Sequence, residues 1–396
     1  MLKLSEKITR IPVSAPLKVD LAAKAKTAAG FDVVNFCVGE PDFPTPDNAA
    51  AAGTEAIKIG DTKYTNASGS PEMKAAVAES LKRNYGLSYG TDCIVITTGA
   101  KYAVYAVVNV LCDPGDEVII PAPYWTSYVH LTSLSGAVPV TVGCTEETGY
   151  KLTPDLLEKA ITPRTRALII NNPNNPSGAL YSAEELRELG KVILKHDICV
   201  ISDEIYSDLV FDGAVFTSMA AVSEDLKDNT VIINGMSKSF AMTGWRIGYI
   251  AAPRAVAAAV SAMLSHTTGS PCTVSQDASI AALRGPRDGV KKMRDIFEQR
   301  RDLAYSSAVA LGIGCPRPAG AFYLMMDVRD LLRPGETATD LALDLLDKNC
   351  VALVPCEDFG MPGFLRMSFS VSSDTISEGF SRIADYLKKR RGQDNG

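Results

Sequence analysis

CIVITTGAKYAVYAVVNVLCDPGDEVIIPAP, residues 93–123, packs two β-branched runs around one helix-period run. CIVITTG (93–99) and EVIIPAP (117–123) read as strands, and AKYAVYAVVNVLC (100–112) reads as the helix between them. A strand, a crossover helix and a second strand imply parallel pairing, with the helix laid on the sheet. The alternation continues outward through a helical stretch after Tyr124, VPVTV (138–142), a helix opened by Thr153-Pro154, and ALIINNP (167–173). Then come a helix from Ser182 capped through Glu185, ICVISDE (198–204), TVIINGMSK (230–238) and WRIGYIAA (245–252). The expected class is α/β: a large domain with a mostly parallel sheet flanked by helices on both faces.

Past residue 252 the texture changes to an alanine-rich and charged helical region, about 253–311, expected to bridge two domains. A second module follows: AFYLMMDV (321–328), a helix over 338–348, VALVP (351–355), LRMSFSV (365–371) and a C-terminal helix from Asp374. Its mixture of strands and helices predicts a smaller α+β domain.

The 396 residues are enough for about two domains. With 46% apolar residues, 22% charged and a formal charge of −6, the chain lacks the basic stripe that nucleic acid demands. The run Lys388-Lys389-Arg390-Arg391 suits a helix C-terminus or a solvated tail. Nine scattered cysteines, with no CxxC and no cysteine-histidine cluster, read as reduced thiols and predict no metal site. Neither an export signal nor a membrane span is visible, so the expected location is cytoplasmic.

In open parallel sheets ligands sit beyond the carboxyl ends of the strands. There the chain carries Thr98-Gly99-Ala100-Lys101, which is either an anion-binding helix N-terminus or an ordinary tight turn. Other strand ends carry Tyr124-Trp125, Asn172-Pro173-Asn174-Asn175-Pro176-Ser177-Gly178, Asp203-Glu204 with Tyr206, and Ser237-Lys238 followed by Arg246. Lys238 sits among small and apolar neighbours, where burial favours a neutral amine. No GxGxxG or GxxxxGK[ST] loop is present, which argues against dinucleotides and nucleoside triphosphates. An aromatic ring, an anion cradle, a carboxylate, a phenol and a desolvated lysine together suit pyridoxal 5'-phosphate, with its flat ring, single phosphate and aldehyde.

Eight stretches in order, VGEPDF (38–43), TKYT (62–65), PAPYW (121–125), NNPNNPSG (171–178), SDEIY (202–206), SKSFAMTGWRIGY (237–249), GAFY (320–323) and LRMSFS (365–370), carry a family resemblance. The chain resembles the class I, fold-type-I pyridoxal-phosphate aminotransferases, in the bacterial group that includes aspartate and prephenate aminotransferases. The resemblance spans nearly the whole chain. It implies an N-terminal arm at 1–13, a large cofactor-binding domain at 47–285, and a small domain made of 14–46 and 286–396.

It also implies roles. Lys238 matches the Schiff-base lysine and later proton shuttle, Asp203 the carboxylate facing the pyridine nitrogen, and Tyr206 and Asn175 the groups that hold the phenolate oxygen. Trp125 matches the stacking ring. The phosphate falls to the helix N-terminus at Gly99, Ala100 and Lys101 and to Arg246, with Ser237 a further cofactor-binding candidate and Tyr64 reaching in from a second subunit, which implies a homodimer with shared active sites. Arg366 matches the arginine that grips the substrate α-carboxylate, and Gly39 adds a backbone contact. Cis peptide bonds are implied before Pro123 and Pro176. One departure is Gly235, where many relatives carry a serine.

The implied reaction is transamination between an L-amino acid and a 2-oxo acid, with aspartate and 2-oxoglutarate the expected pair. Lys101 is the candidate for a distal carboxylate. Against it, Pro12 and Pro16 replace the lysine and threonine expected near the N-terminus, leaving Arg10 as a substitute. The alternatives are a preference for aromatic, alanine or other neutral amino acids, with prephenate disfavoured, or a lyase of the same fold. A regulatory module with this cofactor would carry an N-terminal DNA-binding extension, whereas here the pattern begins almost at Met1.

Overall fold

A computed structural model describes residues 2–9, 11 and 15–394. Its strands are β1 (Val34–Asn35), β2 (Ile94–Thr97), β3 (Glu117–Ala122), β4 (Val138–Gly143), β5 (Thr165–Asn171) and β6 (Cys199–Asp203). They continue with β7 (Thr230–Gly235), β8 (Gly248–Ala251), β9 (Tyr323–Asp327), β10 (Val351–Ala352), β11 (Val354–Pro355) and β12 (Phe364–Ser368). Seven of them form one sheet in the order β2-β8-β7-β6-β5-β3-β4. All its pairings are parallel except those of β8, which runs antiparallel to β2 and β7; β2 thus does not pair with β3 as the strand–helix–strand reading implied, but lies at the sheet edge beside β8. The chain passes from β7 to β8 without a crossover helix, so the direction reverses.

Both sheet faces are covered, which is why the strands read as continuous apolar runs. Val118, Ile120, Ile169, Ile201 and Val231 pack under helices Ala100–Leu111 and Arg254–His266. Their alternates Ile119, Leu168, Ile170 and Val200 pack against helix Ala183–Lys195. That helix begins with the expected capping box between Ser182 and Glu185, and Thr153 caps Pro154–Ala160 by accepting from the Leu156 amide.

The helical region after residue 252 is three helices, Arg254–His266, Thr273–Arg284 and Asp288–Ala310. Breaks fall at Gly269 to Pro271 and at Gly285-Pro286, where glycine and proline end helices. The first two helices stay with the large sheet. Only the third carries Met293, Phe297, Ala304 and Ala308 into the core shared with β9 and β12, so the expected bridge narrows to one helix. VALVP also divides: β10 pairs parallel with β1, while β11 joins β12 and β9 in an antiparallel three-stranded sheet.

The bonds preceding Pro123, Pro173 and Pro176 are cis; the resemblance anticipated Pro123 and Pro176. Met1, Arg10, Pro12 and Val13 of the expected arm lie outside the described residues. Among the described residues no helix is long and apolar enough to cross a membrane, and no cluster of side chains could hold a metal ion.

Candidate active site

β3 lies between β4 and β5, so the chain order reverses beside it and the loops after β3 and β5 diverge. At such a switch point an open sheet forms its ligand crevice. A cleft of about 710 Å³ opens here, lined by Gly39, Ala100, Lys101, Trp125, Asn175, Asp203, Tyr206, Ser237, Lys238, Arg246 and Arg366. These are the sequence-predicted residues apart from Gly99 and Tyr64. Gly99 is the N-cap of Ala100–Leu111 and borders the cleft through Arg246. Tyr64 is 96% exposed and does not line this chain's cleft.

At the cleft floor, Lys238 Nζ donates to the Gly39 carbonyl at 2.5 Å. Burial pulls the ammonium down to about 8, with the Glu40 carboxylate opposing the fall and Arg366 and Arg246 adding to it. The ammonium form still dominates near physiological pH, but the neutral amine becomes a sizeable minority there, which an ordinary lysine does not offer. The Gly39 strap is fixed from the other side. Arg300 holds Asp42 with paired bonds of 2.7 and 2.9 Å, and the Ser370 hydroxyl donates to the Glu40 carbonyl at 2.6 Å.

Asp203 closes β6 and is buried. Its Oδ2 accepts from the Tyr128 hydroxyl at 2.6 Å and its Oδ1 from the Ile205 amide at 3.2 Å. Burial pushes the carboxyl up to about 6, against the pull of those two donors and of Lys238. A cation opposite it would offset that burial. Tyr128 was missed by the sequence reading. It stands three residues after Trp125, in the first turn of helix Ser127–Leu134, and its ring meets the indole edge-on at 5.3 Å.

The helix at Ala100 has no side-chain cap, leaving its first N–H groups to face an anion. Gly99 has φ +88, and a Cβ there would stand 2.5 Å from Arg246 Nη2. Only glycine lets the guanidinium close over this helix end. Gly235 has a similar reason: a Cβ there would meet the Ile247 carbonyl at 2.7 Å, so the departure from serine fits the tight packing against β8.

Arg366, on β12, is 4% exposed. It donates to Asn175 Oδ1 and to the Cys37 carbonyl, each at 3.1 Å, while its Nε is buried without a partner among the described residues. An unsatisfied guanidinium N–H in a cleft invites a carboxylate. Tyr323, present in the sequence only as the end of GAFY, places its hydroxyl 3.0 Å from that of Tyr206. Lys101 rests its ammonium 4.8 Å from the centre of the Trp125 ring, and partial burial followed by Arg246 lowers its proton affinity. Leu17, Asp20 and Lys24 of helix Ala15–Ala28 also line the cleft, and no sequence motif pointed to them. Arg10, Pro12 and the Pro16 side chain lie outside the described residues.

The donor set fits pyridoxal 5'-phosphate: an uncapped helix end beside Arg246 for the phosphate, a buried carboxylate, a phenol and a depressed lysine. Residues 32–383 match the family described as Aminotransferase class I and II. The chain is 43% identical to the aspartate aminotransferase of Geobacillus stearothermophilus, over 98% of this chain and all of the relative. It is 41% identical to the aspartate/prephenate aminotransferase of Cereibacter sphaeroides, over 96% of this chain and 97% of the relative. The solved structure of Thermus thermophilus aspartate aminotransferase with maleate superposes with a TM-score of 0.93 at 37% identity, covering 97% of this chain and all of that one.

Proposed function

The chain belongs to the class I and II aminotransferases, enzymes that use pyridoxal 5'-phosphate, and on that premise we propose that its amino donor is aspartate and its acceptor 2-oxoglutarate, giving oxaloacetate and glutamate. The observation that carries the aspartate preference is Lys101, whose ammonium leans on the Trp125 face inside the cleft and pairs with no carboxylate among the described residues. A substrate with a second carboxylate would complete that cation. Relatives named for aspartate and a structural neighbour solved with maleate support the same reading.

When bound, the cofactor supplies an aldehyde that condenses with amines and a ring that accepts electrons. The protein's residues do the rest. Asp203, held by Tyr128, would face the ring nitrogen and keep its proton in place. Tyr206 and Asn175 would hold the phenolate oxygen, Trp125 would cover the ring, and the helix N-terminus at Gly99, Ala100 and Lys101, with Ser237 and Arg246, would receive the phosphate. Arg366 takes the α-carboxylate through its free Nε, a planar grip that lysine cannot reproduce. This would place the substrate Cα beside Lys238, whose Nζ in its neutral form is the base positioned to take up the Cα proton and hold it for return.

We read residues 47–285 as the large domain, 14–46 with 286–396 as the small one, and 1–13 as an arm. Lys238 and Arg366 then stand on opposite domains, so a bound substrate draws them together and excludes water. The assembly we favour is a homodimer in which Tyr64 of each copy reaches the other's phosphate site. Its 96% exposure, with Leu2, Leu4, Ile57 and Ile59 also exposed, supports a covered surface.

The test is kcat/KM for aspartate, alanine, phenylalanine and glutamate in wild type and Lys101→Ala. A charge-assisted bond of about 1.5–3 kcal/mol predicts roughly a tenfold or larger advantage for aspartate, lost in the variant. An advantage that survives the substitution, or none in wild type, would refute the assignment to Lys101. Phenylalanine or alanine as the better substrate would favour the neutral-substrate alternative.

A further inference from the structure

Tyr206 and Tyr323 are 117 residues apart in sequence, yet their buried hydroxyl oxygens stand 3.0 Å apart. Their rings meet edge to face at 5.9 Å. Tyr323 opens β9 and is the diagonal neighbour of Arg366 across the β9–β12 pair, and the Arg366 guanidinium lies 4.4 Å from the centre of its ring. The third side is Gly39, where a Cβ would come within 3.0 Å of the Tyr323 oxygen. Glycine leaves the hydroxyl its place.

A phenol has one proton to give. If Tyr206 donates its proton to the phenolate oxygen of the cofactor, as the reading above requires, it can only accept from Tyr323. We propose that Tyr323 is a positioning residue that donates to Tyr206 and, with Arg366 stacked on its ring, strengthens the Tyr206 bond to the cofactor. Burial pushes both phenols up, Tyr206 well above its ordinary range; the Arg366 cation opposes the rise at both, ranking directly after burial at Tyr323 and behind the Tyr323 contact at Tyr206. The donor is then the phenol nearest the guanidinium. Donation from Tyr323 polarises Tyr206, and successive hydrogen bonds in a low-dielectric site reinforce one another.

This inference rests on the role assigned to Tyr206, and the test separates the two. The cofactor-loaded protein is titrated by its visible absorption, whose midpoint reports how tightly the lysine–cofactor end holds its proton. A donor to the phenolate oxygen favours the deprotonated form, so weakening it raises the midpoint. Tyr323→Phe keeps the ring and its stack on Arg366 while removing only the hydroxyl. It is expected to raise the midpoint by about half a pH unit, a fraction of what a whole charge-assisted bond moves. Tyr206→Phe is expected to raise it further, and adding Tyr323→Phe to that variant should then change nothing. No shift in Tyr323→Phe, or an equal shift in the Tyr206→Phe background, overturns the relay while leaving Tyr206 in place. An unmoved midpoint in Tyr206→Phe itself removes Tyr206 from the phenolate oxygen, and the relay with it.

Discussion

The Tyr128 hydroxyl donates to Asp203 Oδ2 at 2.6 Å, with both side chains buried, so the carboxylate proposed to face the cofactor ring is held by a phenol from the helix after β3. Removing that donor leaves the charged oxygen short of a partner in a dry site. Tyr128→Phe should raise the Asp203 pKa above its present value of about 6. We expect kcat to fall roughly tenfold, with a smaller loss of cofactor affinity, because a charge-assisted hydrogen bond is worth about 1.5–3 kcal/mol. The acid limb of the kcat profile should move to higher pH. An unchanged limb would mean that the tyrosine only fills space.

Gly99→Ala tests the anion cradle. The new Cβ would stand 2.5 Å from Arg246 Nη2 at φ +88, so it brings both backbone strain and displacement of the guanidinium. Gly30→Ala is the control, since Gly30 has φ +91 but open space around it. Cofactor affinity, measured by fluorescence titration of the cofactor-free protein, should weaken roughly tenfold or more in Gly99→Ala and stay unchanged in Gly30→Ala. Equal affinity in the two variants would remove Arg246 from the phosphate site.

The large sheet was legible because its strands are buried on both faces and its helices announce their starts, as Ser182 and Glu185 do. β8 was legible as a strand but not in direction, since orientation depends on the connection and not on residue pattern. The strand ends brought Asp203, Lys238 and Arg246 forward for a physical reason: polar groups at the carboxyl edge of an apolar sheet need a purpose. Tyr128 and Tyr323 stayed hidden because each looks like a core aromatic until its hydroxyl partner is known. Leu17, Asp20 and Lys24 reach the cleft only through the docking of their helix on the small sheet, a long-range contact with no local signature.

Lys238→Met removes the amine and its burial cost together. The native pKa of about 8 lies below the ordinary 10.5, so the unfolded chain binds this proton more tightly. Stability from this group is fully present above about 10.5 and is lost as pH falls through about 8. The cofactor-free variant should therefore be more stable than wild type at pH 7, by roughly 1–3 kcal/mol, with the gap closing towards pH 10. Turnover of the loaded enzyme should fall roughly 10⁴-fold or more. A thermal gap that is the same at pH 7 and pH 10, or retained turnover, would contradict the neutral-amine role.

Glu204 follows Asp203 directly and points to the other side of the strand, where it is fully buried. Its Oε1 accepts from the Ser218 hydroxyl at 2.7 Å, the Ser202 hydroxyl at 2.9 Å and the Met219 amide at 3.3 Å, while Oε2 has no partner among the described residues. Burial pushes the carboxyl up to about 7, despite those donors, and the neighbouring Asp203 adds to the rise. The phenols of Tyr85, Tyr89 and Tyr249 face it and are themselves pushed up, in part by its charge. Since the native pKa lies above the ordinary 4.5, folding takes up a proton; this stability is intact below about 4.5 and is lost as pH rises through about 7. Glu204→Gln keeps an acceptor for the three donors and carries no charge. The cofactor-free variant should melt with wild type at pH 4.5 and above it at pH 8, by a margin on the order of 1–3 kcal/mol. A difference that does not change between those pH values would show that Glu204 does not titrate on folding and that its three donors hold it charged throughout.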